Sequence, residues 1–154
     1  MCGIAGLINQ NREKENGARI KKALVLQNDR GNGLGAGYAA YGIYPKYSAL
    51  YAFHIMANSE DAMNRAAEFV QRWFWIHQRE PVPVWCGNIP DHPYFQRFFV
   101  EPAIAADKRL PGETADDDYV VNKAMLLNKE VHGAYVCSSG KDMGVFKGVG
   151  TPRD

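Results

Sequence analysis

Apolar positions change period along the chain, and each change marks an element. Cys2 to Ile8 is a nearly continuous apolar run that predicts a buried strand, closed by the polar turn Asn9-Gln10-Asn11. A helix follows, with Ala18, Ile20, Ala23, Leu24 and Leu26 as its apolar side and Asn28-Asp29-Arg30-Gly31 as its stop. Residues 31–44 pass from glycines to aromatics and read as a loop running into a strand. Tyr47 to Met56 is strand-like. Ser59 then offers an N-cap with Glu60 and Asp61 in the first turn, and Ala62, Ala66, Ala67, Val70, Trp73, Phe74 and His77 recur near a 3.6-residue period, predicting an amphipathic helix. The prolines of Pro81-Val82-Pro83-Val84-Trp85 predict an edge strand, and Tyr94 to Val100 a partly buried one. Thr114 caps a second helix with Asp117 in the capping-box position and Val120, Val121, Ala124, Met125 and Leu127 as its apolar side. Gly133 to Ser138 and Met143 to Val149 close as strands around the turn Ser139-Gly140-Lys141-Asp142.

Residues 47–139 thus give strand, helix, strand, strand, helix, strand, the split βαβ order of a ferredoxin-like unit. The fold class is α+β, with segments 1–46, 47–139 and 140–154. Charge divides at the same place: residues 1–46 hold seven Lys and Arg against three Asp and Glu, residues 47–154 eleven against fourteen. Over 154 residues the net charge is only +1, so no broad field draws nucleic acid or an anionic membrane, and the hydrophobic share of 46% excludes fibrous and disordered classes. The longest charge-free stretch, Gly31 to Pro45, is too short for the roughly 18 apolar residues of a spanning helix. The start lacks a signal peptide, so Met1 reads as the native start. Cys2, Cys86 and Cys137 are odd in number and lack metal-ligand spacing, which argues against a disulfide framework and a zinc site and favours a reducing cytoplasm.

Cys2 is the candidate nucleophile. Removal of Met1 would leave thiol and α-amine on one residue, and an amine of pKa about 7.7–8.0 is partly a free base near neutral pH, able to take the thiol proton directly or through one water. Gly3 leaves space beside it. The alternative is an inert cysteine packed in an N-terminal strand. Other features carry less chemistry. Gly31 to Gly37 fits neither the dinucleotide fingerprint nor the P-loop, Asp116-Asp117-Asp118 reads as a solvated first turn, and Cys86 and Cys137 read as core or strand thiols. His54, His77 and His132 read as packing residues, and Trp73, Trp75, Trp85, Phe98 and Phe99 as core. An exposed Trp75 or Phe98 would instead favour an interface.

Met1-Cys2-Gly3-Ile4-Ala5-Gly6-Leu7, followed by Asp29-Arg30-Gly31 and a glycine-rich stretch, resembles the start of class II glutamine amidotransferases, N-terminal-nucleophile hydrolases that release ammonia from glutamine. Tyr119-Val120-Val121 and the run from Cys137 to Gly150 resemble the stand-alone amidotransferase subunit, or first domain, of archaeal-type glutamate synthases. The resemblance implies an αββα sandwich interrupted by the ferredoxin-like insertion, with Cys2 as nucleophile and, through its amine, general base. Arg30 and Gly31 match the family's Arg-Gly loop near the substrate cleft. It also implies glutamine as substrate, no cofactor on this chain, and a synthase partner carrying flavin and an iron–sulfur cluster. The family's oxyanion Asn-Gly pair and its carboxylate-gripping Arg have no counterpart here: Asn16-Gly17 and Asn32-Gly33 stand in the wrong context. Lacking an oxyanion donor costs a hydrolase of this kind roughly 10²–10³-fold. The chain is therefore expected to be an N-terminal fragment, or one piece of a split form, of such an enzyme. Two other readings stay open: a non-catalytic assembly module, and an N-terminal-cysteine amide hydrolase with another substrate.

Overall fold

A computed structural model describes residues 3–11, 13–84, 90–103, 115–151 and 153. The protein is α+β, and its described residues form three α-helices and two antiparallel sheets. It divides into two compact units, Met1–Ala40 with Val145–Asp154, and Tyr41–Gly144. Residues 41–46 and 140–144 thus group with the second unit, where Gly42 N–H donates to the Asp142 carbonyl at 2.7 Å and Tyr44 N–H to Asp142 Oδ1 at 2.7 Å.

The second unit runs β2 (Tyr51–Ala57), α2 (Glu60–Trp73), β3 (Phe74–Pro81), β4 (Tyr94–Pro102), α3 (Asp116–Glu130) and β5 (Ala134–Ser138). Its four strands lie in the order β3-β4-β2-β5, with every neighbouring pair antiparallel. Each helix therefore carries the chain past one intervening strand. Both helices pack on one face. Tyr51, Phe53, Ile55 and Ala57 of β2 and Phe98 and Val100 of β4 meet Met63, Ala66 and Val70 of α2 and Tyr119, Val120 and Leu127 of α3. The alternation of β2 sends Ala52, His54 and Met56 to the opposite face.

α2 starts as its sequence predicts, Ser59 Oγ accepting from Ala62 N–H at 3.1 Å. It ends earlier. Trp73 is its last residue, Phe74 is already extended at φ −136° and ψ 151°, and residues 74–81 alternate buried or half-buried with exposed. Phe74, Ile76 and His77 belong to β3, because aromatic and β-branched residues sustain a period of two as readily as one of 3.6. The strand expected over Pro81 to Trp85 does not form over residues 82–84, Trp85 lies outside the described residues, and the edge position belongs instead to β3, which ends at Pro81. His77 is no packing residue: it is exposed, with Nε2 3.0 Å from Glu101 Oε1. α3 is capped by Ala115, whose N–H donates to Asp118 Oδ2 at 3.2 Å; Asp117 instead accepts from Tyr51 Oη at 2.5 Å. Thr114 lies outside the described residues. The helix buries Tyr119 and Lys123, whereas Val121 and Met125 are exposed.

The first unit holds α1 (Ala18–Val25), a 3₁₀ turn at Asn28–Arg30, and the pair formed by β1 (Ala36–Tyr41) and β6 (Met143–Gly148). Gly37 permits that pairing, since a Cβ there would sit 2.2 Å from the Phe146 carbonyl oxygen. The buried strand expected over Cys2 to Ile8 is absent among its described residues: Gly3 to Ile8 pair with nothing, and Ile4 and Ile8 are about nine-tenths exposed. An apolar run supplies the side chains of a strand, but a strand also needs a neighbouring ladder. Among the described residues no helix is long and apolar enough to cross a membrane.

Candidate functional site

Met1 and Cys2, and also Cys86, lie outside the described residues, and Gly3 is the first described neighbour of the candidate nucleophile. Gly3 sits against Gln27, where an added Cβ would lie 2.5 Å from Gln27 Cβ. Only a residue without a side chain fits that approach. Gln27 opens the 3₁₀ turn, its carbonyl accepting from Arg30 N–H at 3.0 Å, and the Asn28 carbonyl accepts from Gly31 N–H at 3.1 Å. These bonds fix the Arg30-Gly31 corner, and Gln27 at its start is the residue that Gly3 lies against.

Gly3, Gln27, Arg30, Gly31 and Thr151 line one cavity of about 220 Å³ within the first unit. Gly33, Gly35 and Gly37 also line it. That is smaller than the roughly 300–1,000 Å³ of drug-sized pockets and suits a small molecule. Among the described residues that line it none is acidic, and Arg30 is the charged one. An arginine in the lining favours a ligand with a carboxylate or an oxygen that gains charge in reaction.

A second polar cluster, which the sequence does not announce, crosses the helix-free face of the large sheet. Register places Ser138, His54, Arg97 and Glu80 side by side on β5, β2, β4 and β3. Tyr44 covers the row: its hydroxyl meets His54 Nε2 at 2.7 Å and accepts from Arg97 Nη1 at 3.1 Å. Arg97 also donates through Nε (2.9 Å) and Nη2 to Glu80 Oε1 and lies over the rings of Tyr44 and Phe99. Burial, reinforced by the Arg97 charge and opposed by a hydrogen bond with the Ala52 backbone, pushes the His54 pKa down to about 4. Burial alone would lower Arg97, but its hydrogen bonds to Glu80 and Tyr44 outweigh that and raise it. A neutral imidazole and a paired guanidinium, both covered, make a lock on the sheet face rather than an open site. His54 is thus buried as expected of a packing residue, with a hydrogen-bonded ring. Its partners come from residues far apart in the chain, so no local motif signals them.

The remaining candidates separate. Phe98 is buried, whereas Trp75 is 64% exposed on the edge strand β3. Cys137 is exposed on β5, its thiol pKa pushed up by partial desolvation, the reverse of an activated nucleophile. Among the described residues no group of three or more His, Cys, Asp or Glu is placed to hold a metal ion.

No protein-family model matches the chain. It is 44% identical over 156 residues to an uncharacterized protein of Archaeoglobus fulgidus. That match covers 99% of this chain and 40% of the relative, so the chain spans about two-fifths of the length of the curated relative it matches.

Proposed function

We propose that the chain is the N-terminal part of a class II glutamine amidotransferase that works in the cytoplasm, hydrolysing glutamine through Cys2 and passing ammonia to a glutamate-synthase-type partner. In this reading the first unit is one portion of an αββα sandwich and residues 41–144 are its ferredoxin-like insertion, whose β3-β4-β2-β5 order suits that assignment. The observation that carries the proposal is that Gly3, which follows Cys2, and the Arg30-Gly31 pair, 27 positions on in the sequence, line one cavity whose described lining residues include no acid.

With Met1 removed, the Cys2 amine takes the thiol proton and the thiolate attacks the side-chain amide carbon of glutamine. The C–N bond breaks as the ammonium returns its proton to the leaving nitrogen, giving ammonia and a thioester. Water, deprotonated by the same amine, attacks the thioester, and glutamate leaves as the thiol is restored. Arg30, with Gly31 beside it, binds and orients the substrate. The flavin and iron–sulfur cluster belong to the synthase partner.

Trp75 favours a second reading, a docking module without catalysis, because a large exposed aromatic on an edge strand suits an interface. One experiment separates the two. The chain and its Archaeoglobus fulgidus relative are each subjected to N-terminal mass spectrometry, an ammonia-release assay with glutamine, and labelling by a diazo-ketone glutamine analogue. The amidotransferase reading expects loss of Met1 and one label on Cys2, abolished in Cys2→Ala. Retained Met1 with no label on either protein leaves the docking module, and ammonia release from another amide but not from glutamine points to the other hydrolase.

A further inference from the structure

Among the described residues every buried side chain lies between Tyr51 and Ser138, and the first unit has none. α1 buries no residue fully, and Ile4, Ile8, Leu26, Leu34 and Val149 are each between 75% and 91% exposed. Its sheet has two strands, so β1 and β6 each have one edge without a neighbour in it. A two-stranded pair is marginal in water, and independent stability takes a third strand or a packed helix. Scattered exposed apolar residues are ordinary, but a helix and a sheet in which Leu24, Val25 and Phe146 are no more than half-buried are half of a packed structure.

Something must cover this surface, and the comparison indicates what. The match uses 99% of this chain but leaves three-fifths of the relative outside it. We infer that the first unit is the seat of a polypeptide equivalent to those unmatched three-fifths, which adds strands to the open edges of the β1–β6 pair and covers Ile4, Ile8, Leu26, Leu34 and Val149. The first unit carries eight Lys and Arg against four Asp and Glu, so the seated polypeptide presents an acidic excess around its apolar strands. This holds whether or not Cys2 is a nucleophile: a failed glutaminase assay leaves it standing, and its own failure leaves the chemistry of Cys2 untouched.

Amide hydrogen exchange tests it on the 154-residue chain, separated by size into monomer and any oligomer, and on the full-length Archaeoglobus fulgidus relative. In the monomeric chain α2, β2 and β4 are expected to be protected while α1, β1 and β6 exchange at nearly unstructured rates. In the relative, the segments equivalent to α1, β1 and β6 are expected to slow at least a hundredfold. Protection of α1, β1 and β6 in the monomeric chain overturns the inference, because the unit then needs no cover. Protection confined to a self-associated form overturns it in favour of a second copy as occupant. Equally fast exchange of those segments in the relative overturns it outright.

Discussion

Replacing His54 by Gln tests the sheet-face network through its proton linkage. The His54 ring is buried, and its pKa falls from 6.5 to about 4 on folding because desolvation and the Arg97 charge disfavour the imidazolium. Between those values the unfolded chain binds a proton that the folded chain refuses. The contribution is therefore fully present above pH 6.5 and is lost as the pH falls toward 4. At about 1.4 kcal/mol per pKa unit the loss amounts to about 3 kcal/mol, with a steepest slope of about 1.4 kcal/mol per pH unit. His54→Gln keeps an amide that reaches the Tyr44 hydroxyl but cannot titrate. Urea unfolding followed by circular dichroism and tryptophan fluorescence, in steps from pH 7.5 to 4.5, should give a wild-type stability that declines more steeply than that of the variant. Carboxylates titrate in both proteins, so the difference between the two curves isolates His54. Parallel curves across that range would refute the reasoning.

The same face predicts that Glu80→Gln costs about 1–2 kcal/mol in urea unfolding, less than a fully buried pair because Glu80 is about one-third exposed; a larger loss from Glu80→Gln than from Arg97→Met would mark the unpaired guanidinium as the cause. On α3, Leu127→Ala should cost about 2–5 kcal/mol and Met125→Ala less than about 0.5 kcal/mol in thermal unfolding, since Leu127 is fully buried and Met125 exposed. Equal losses would contradict the face assigned to the core. In the cavity, Gly3→Ala forces Gln27 away and should slow diazo-ketone labelling of Cys2 by about tenfold or more, as an ångström-scale misplacement does; Gln27→Gly in the same chain should restore the rate.

Local chemistry sufficed wherever an element depends on neighbours along the chain. Ser59 and its two following acids marked the start of α2, and glycines and a polar turn bracketed β5 and β6. It failed where period alone had to choose. The stretch from Trp73 to His77 satisfies both a helix and a strand, and pairing of Phe74 with Pro102 and Ile76 with Val100 settled it. On α3, both Met125 and Leu127 are apolar, and only contact with the sheet selects Leu127. The apolar start from Gly3 to Ile8 has a strand's composition without a ladder to join.

The candidate site divides in the same way. Cys2, Arg30 and Gly31 stand out in the sequence because amine and thiol share one residue and because the Arg-Gly corner resembles a known loop. That Gly3 and this corner border one cavity depends on Gln27 and on a glycine narrow enough to lie against it. The row of Ser138, His54, Arg97 and Glu80 is set wholly by strand register, which brings together side chains from four strands that no spacing along the chain connects. Residue order fixes what each short segment prefers; pairing and burial select among those preferences, because ladder hydrogen bonds and apolar contacts form only between segments the fold brings together.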